Sequence, residues 1–254
     1  MPVIFDLDGT LVDPAGGISD GIAAALAAAG LPVPGQDVLN SMIGPKLSDA
    51  LLSVCKVPAE MLDGVIRTYR QYYLATGIAQ SRLYPGIKEA LESFAAEGRP
   101  VAVATQKPEG LAQIVLGHHG IAGLFQAIRG SADNESSTDG PVGKADIIAA
   151  ALADLSTQHA VMVGDRAQDV AGAIANGLDC IGVGWGFAPD GELEEAGAVT
   201  VVDTTAGMVA AIGRLEAIHT AAMSEVRNDG AVRGGPLDIS WARRGHLPAH
   251  RRRP

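Results

Sequence analysis

At 254 residues, with 47% apolar and 19% charged side chains and a mean hydropathy of +0.19, the chain can bury a sizeable core and reads as globular. The formal charge is −10, but residues 224–254 carry seven Arg against three acids, so the remainder holds −14 and argues against a nucleic-acid partner. Cys55 and Cys180 form no C-x-x-C pair, no apolar run is long enough to span a membrane, and the N-terminus enters a strand without a signal-like segment, so no membrane association and a cytoplasmic location are expected.

In chain order, the apolar run Val3-Ile4-Phe5 predicts a strand, and Pro14-Ala15-Gly16-Gly17 breaks it. Helices are then expected over Ser19–Ala29, Asp37–Ile43 and Leu47–Val54, followed by a longer one opened by Pro58. No strand pattern occurs before residue 99, so residues 15–83 read as an all-helical cap inserted into a core formed by 1–14 and 84–223. After Tyr84-Pro85-Gly86, helices and apolar strands alternate to about residue 217, with strands at Val101–Ala104, Ala127-Ile128, Ala160–Val163, Cys180–Val183 and Val199–Val202. Such alternation predicts an α/β, Rossmann-like doubly wound parallel sheet. The basic stretch 224–254 is expected to be a disordered tail.

Sheets of this kind bind ligands beyond the carboxyl ends of their strands, and several chemistry-bearing residues sit there. Asp6 and Asp8, spaced i and i+2 directly after the first strand, can project to one side, with Gly9 permitting a sharp turn and Thr10 adding a hydroxyl. Thr105 and Asp165 also end apolar strands, Lys144 opens a helix, and Asp169 lies four residues after Asp165. Each has an ordinary reading when taken alone. Asp-Gly makes turns, Asp165 could cap a helix, and Asp169 could stabilise its first turn. Their joint occurrence in this order points to a site.

The four segments that carry these residues are Asp6-Leu7-Asp8-Gly9-Thr10, Ala104-Thr105-Gln106-Lys107, Gly143-Lys144-Ala145-Asp146 and Val163-Gly164-Asp165-Arg166-Ala167-Gln168-Asp169. Together they resemble the haloacid dehalogenase superfamily, in particular the phosphatases similar to phosphoglycolate phosphatase and related small-molecule and nucleotide phosphatases. The resemblance implies an enzyme that hydrolyses a small phosphate monoester through an aspartyl-phosphate. In that scheme Asp6 is the nucleophile and Asp8 the general acid and base. Thr105 and Lys144 bind phosphate, Mg²⁺ is held by Asp6, Asp165 and the main-chain carbonyl of Asp8, and Asp169 supports the metal site from outside. A long polar loop, Ser131–Pro141, precedes Lys144 and departs from the common third motif.

Competing readings are weaker. A P-loop ending at Lys144 fails because Thr138 and Ala145 stand where Gly and Ser or Thr are needed, and Gly182–Gly186 lacks a dinucleotide fingerprint. Asp8 and Asp165 argue against a dehalogenase, and Asp8 against a phosphonate-cleaving relative that would use Lys46. A phosphomutase on the same core and a non-catalytic binding or regulatory module remain as alternatives. Within the cap, the Gly44-Pro45-Lys46 corner and Arg67 are candidates for reading a second anionic group on the substrate. Sequence is silent on oligomeric state.

Overall fold

The computed structural model describes residues 1–133 and 143–230, with side chains as far as residue 222. Two units are present, Met1–Ala211 and Ile212–Pro254. The first unit begins with β1 (Val3–Phe5), whose three residues are wholly buried, and continues through a tight turn into β2 (Val12–Asp13). The turn is closed by the Leu7 carbonyl, which accepts hydrogen bonds from the amides of Leu11 and Val12, and Gly9 takes a left-handed φ of 89° that a side chain would disfavour.

A helical segment follows, comprising α1 (Gly17–Ala28), α2 (Gln36–Ser41), α3 (Leu47–Ser53), α4 (Ala59–Tyr72), a π-helical turn over Tyr73–Gly77 and α5 (Ile78–Gln80). It returns through β3 (Arg82–Leu83), which pairs antiparallel with β2, so the insertion leaves and re-enters the core through a two-stranded ribbon. This corrects the expectation of no strand before residue 99. Two-residue strands carry no alternation of their own and exist only through their pairing.

From there the chain alternates as expected: α6 (Ile87–Ala96), β4 (Val101–Pro108), α7 (Glu109–His118), a 3₁₀ turn at Ala122–Leu124, β5 (Ala127–Ser131), α8 (Lys144–Asp154), β6 (Val161–Gly164), α9 (Ala167–Ala175), β7 (Asp179–Val183), α10 (Glu192–Ala196), β8 (Thr200–Val202) and α11 (Thr205–Gly230). Six strands form one parallel sheet in the order β5-β4-β1-β6-β7-β8. Successive side chains face opposite sides of the sheet. Ile4, Ala102, Met162 and Cys180 pack with Ile147, Ile148 and Ala151 of α8 and Val170 and Ala173 of α9. On the other face Phe5 stacks on Phe94 of α6, with ring centroids 6.5 Å apart. Truncating a wholly buried residue such as Ile4 to Ala should cost about 2–5 kcal/mol.

Because β1 is flanked by β4 and β6, the strand order switches direction around β1, and the carboxyl ends of these three strands open onto one crevice. Helix α11 runs to Gly230, past Ser224 where the sequence reading began its tail. Residues 231–254 and most of the polar loop before Lys144 (134–142) lie outside the described residues.

Candidate active site

Asp6 follows β1, Thr105 lies in β4 where it passes beyond β1, and Asp165 follows β6, so the pairing of the central strands brings three distant segments to one edge. All the candidate polar groups there, Asp6, Asp8, Thr105, Lys144, Asp165 and Asp169, are buried. Lys144, the first residue of α8, donates to Asp6 Oδ1 at 2.5 Å and to the Ala104 carbonyl at 2.8 Å, and lies 2.7 Å from Asp169 Oδ1. Its three protons are thereby committed. Burial opposes its charge, but Asp169 and Asp6 outweigh that and hold its pKa above the usual lysine range.

The two carboxylates four residues apart differ in what they touch. Asp169 Oδ2 accepts hydrogen bonds from the amides of Asp165 (3.1 Å) and Arg166 (3.0 Å), and Oδ1 faces Lys144. The N-cap of α9 is Arg166, so Asp169 is the first-turn acid reaching back, while Asp165 lies one residue before the cap rather than serving as the cap itself. Asp165 accepts from the Thr10 hydroxyl (3.0 Å) and the Phe187 amide (2.8 Å), which leaves each of its oxygens a lone pair. Its carboxylate sits against Gly9 and Gly186 so closely that a Cβ at either would overlap it. The Trp185 indole donates to the Thr10 carbonyl at 3.2 Å and ties the loop after β7 to the same turn.

Asp6, Asp165 and Asp169 each offer an oxygen, all within 4.8 Å of one another. Among the described residues, the ammonium in contact with these carboxylates is that of Lys144. The shortfall shows in the titration: burial, then Asp6 and Asp169, push Asp165 well above the usual carboxylate range, and burial raises Asp169 to about 6 despite Lys144. An all-oxygen cluster short of positive charge suits a hard divalent cation. Asp165 keeps a lone pair on each oxygen, whereas Asp169 Oδ2 is filled by two amides and Asp169 Oδ1 is held by Lys144.

Asp8 belongs to a different environment. Its Oδ2 accepts from Lys107 Nζ at 2.5 Å, and its Oδ1 is buried with no hydrogen-bond partner among the described residues. Burial raises the Asp8 pKa and Lys107 partly offsets this. Thr105 Oγ1 accepts from the Lys107 amide at 3.2 Å, so its hydroxyl proton remains to be donated elsewhere. Lys107 was given no role in the sequence reading, although it stands in the second motif two residues after Thr105. Arg166 was also missed. Its Nη1 donates to the Ile43 carbonyl at 2.7 Å, and its Nε donates to Glu192 Oε1 at 3.2 Å. This ties the α2–α3 corner to the loop that carries Asp165.

Beside Asp8 lies a cavity of about 50 Å³ lined in part by Met42, Ile43, Pro45, Tyr69, Arg70 and Lys107. Gly44 and Pro45 line it, but neither Lys46 nor Arg67 does. Lys46 precedes α3 at the N-cap and Arg67 is exposed, whereas Arg70 on the same helix turns inward.

Comparison with known proteins is consistent with this geometry. The model of the haloacid dehalogenase-like hydrolase family matches residues 3–183. The tyrosine-protein kinase PtkA of Mycobacterium tuberculosis (strain H37Rv) is 42% identical over 188 residues, covering 73% of this chain and 62% of that protein, so the chain spans less than two thirds of that relative's length. A 5'-nucleotidase of Pseudomonas aeruginosa is 35% identical over 193 residues, covering 75% and 86% of the two chains. The crystal structure of a predicted phosphatase from Clostridium acetobutylicum superposes with a TM-score of 0.76 at 35% identity, covering 84% of this chain and 98% of that one. With a family model matched over most of its length and the same sheet in a solved relative, the chain belongs to the haloacid dehalogenase-like hydrolase family.

Proposed function

We propose that the protein is a Mg²⁺-dependent phosphatase that hydrolyses a small phosphate monoester through an aspartyl-phosphate. The observation that carries this reading is the contrast between two buried carboxylates two residues apart: Asp6 held against Lys144, and Asp8 with one oxygen left unpartnered. Asp6 attacks phosphorus, a P–O bond forms to its carboxylate, and the ester P–O bond breaks while Asp8 gives its proton to the departing oxygen. Asp8 then takes a proton from water, which attacks the aspartyl-phosphate and releases inorganic phosphate. The Thr105 hydroxyl donates to a phosphoryl oxygen, and Lys144 orients Asp6 and neutralises charge. Asp6, Asp165 and the Asp8 carbonyl would hold Mg²⁺, with Asp169 buttressing that loop. When bound, the ion neutralises charge on the transferring phosphoryl group.

The helical segment 15–83 acts as a cap that covers the leaving group. The cavity beside Asp8 corresponds to roughly three to five water positions, the scale of a leaving group of a few carbons, and Arg70 at its wall suits a substrate with a second anionic function. The protein should therefore turn over p-nitrophenyl phosphate and short phosphate esters. Activity should vanish in Asp6→Asn and in excess EDTA, and Mg²⁺ should restore it to the wild type. Full activity in Asp6→Asn would sink the mechanism. Release of inorganic phosphate, rather than an isomerised ester, separates hydrolysis from the phosphomutase alternative.

The mycobacterial relative favours a second reading, in which the phosphoryl group passes from a nucleoside triphosphate to a tyrosine hydroxyl. Incubation with γ-labelled ATP distinguishes the two, since this reading places label on protein tyrosine and hydrolysis places it in free phosphate.

A further inference from the structure

We propose that Tyr73 and Lys107 form a positioning pair for Asp8, so that a residue of the helical insertion determines whether Asp8 is aimed at the leaving group. The inference rests on the reading of Asp8 as proton donor. Lys107 emerges where the β4–β5 pairing shifts register between Ala104 and Pro108. Its ammonium is almost fully buried, with a side-chain exposure of 6%, and it is held between Asp8 Oδ2 at 2.5 Å and the face of the Tyr73 ring, whose centroid lies 4.6 Å away. A buried ammonium held between a carboxylate and an aromatic face has little freedom to leave either, since a desolvated cation–π contact strengthens as water is removed. Fixing Oδ2 in this way fixes the Asp8 carboxyl plane, and Oδ1 is the atom left without a partner.

Tyr73 is placed for this by the local backbone of the insertion. It opens the π-helical turn Tyr73–Gly77, which follows α4 and changes the direction in which its side chains project. The turn is possible because Gly77 carries no side chain, since a Cβ there would run into the Tyr73 ring, and Gly17 of α1 lies directly against the Gly77 backbone. Tyr69, one turn earlier, stacks on Tyr73 with centroids 5.6 Å apart. The Tyr73 ring is wholly buried and its hydroxyl has no hydrogen-bond partner among the described residues, so its contribution lies in the ring face. A movement of the insertion that withdrew Tyr73 would free Lys107, and with it Asp8.

A positioning role for the acid has a signature that simple packing lacks. An alkyl phosphate needs its leaving oxygen protonated, whereas p-nitrophenolate departs with little help. On kcat/KM, which reports formation of the aspartyl-phosphate and not its hydrolysis, Tyr73→Leu should therefore cost about tenfold for β-glycerophosphate and less than about threefold for p-nitrophenyl phosphate, with the Mg²⁺ half-saturation unchanged. Tyr73→Phe should restore most of the loss. In a Lys107→Met background, Tyr73→Leu should cost nothing further, because the link is already cut. Should Tyr73→Leu fold poorly by thermal melt, Tyr73→Phe and Lys107→Met alone carry the test: Lys107→Met must show the same leaving-group dependence. Equal losses on both esters, or additive effects of the two substitutions, overturn the inference while leaving the phosphatase reading intact. If the wild type hydrolyses neither ester, the phosphatase reading fails and this inference fails with it.

Discussion

The two sides of the crevice are built on different principles. The phosphoryl side, with Asp6, Thr105, Lys144, Asp165 and Asp169, comes from strand ends and helix starts of the parallel sheet, and its carboxylates outnumber its cations. On the leaving-group side Lys107 pairs with Asp8 and Arg166 with Glu192, Arg70 lines the cavity, and the insertion supplies walls. One side is organised to receive positive charge and phosphate, the other to exclude water and select shape. The first should be sensitive to charge removal and the second to geometry.

With the nucleophile kept, the largest effect is expected where the Lys144 charge is removed from the phosphoryl side. Lys144→Met leaves Asp6 and Asp169 without their shared ammonium and should reduce kcat/KM by about 10³-fold or more, with circular dichroism confirming that the variant folds. Near-normal activity would mean that the charge imbalance is incidental. Next comes the division between the two sides at the metal. Asp165→Asn should raise the Mg²⁺ concentration for half-maximal activity by about tenfold or more, whereas Asp8→Asn should lower kcat at nearly unchanged Mg²⁺ dependence. A reversed pattern in the titrations would exchange the two roles.

The alkaline limb of the pH profile probes the leaving-group side. Burial raises the Asp8 pKa and Lys107 lowers it. In Lys107→Met the lowering influence is lost while burial and the Asp6 charge remain, so the Asp8 pKa must rise. The alkaline limb of the kcat/KM profile, where the proton donor is lost, should accordingly move to higher pH in the variant, and an unchanged or lowered limb would exclude Asp8 as its source.

Smaller effects are expected from the wall. Arg166→Met removes charge-assisted hydrogen bonds to the α2–α3 corner, and KM for a snugly held ester should rise about five- to tenfold, with faster amide exchange over residues 41–47. Smallest of all, Lys46→Ala and Arg67→Ala should each change KM by less than about twofold, while Arg70→Ala should raise it several-fold for a substrate with a distal carboxylate. A strong response at Lys46 would show that the corner turns inward when substrate binds.

The sequence by itself determined the parallel α/β core, because strand-length apolar runs alternating with helical patterns leave few other ways to bury both faces of each strand. It also determined the polar groups at Asp6, Asp8, Thr105, Lys144, Asp165 and Asp169, since each stands beside a strand end or helix start that local pattern makes visible. Tertiary structure alone decided how they differ. Asp165 and Asp169 are alike by spacing, and only the amides, the Thr10 hydroxyl and the Lys144 ammonium around them leave both Asp165 oxygens a lone pair while tying Asp169 to the backbone and to Lys144. Strands β2 and β3 are two residues long and owe their existence to pairing across some seventy residues of chain. Lys107, Arg166 and Tyr73 were silent for the same reason. Their partners lie 99, 123 and 34 residues away, and a contact at that range depends on where the insertion folds back, which no local period encodes.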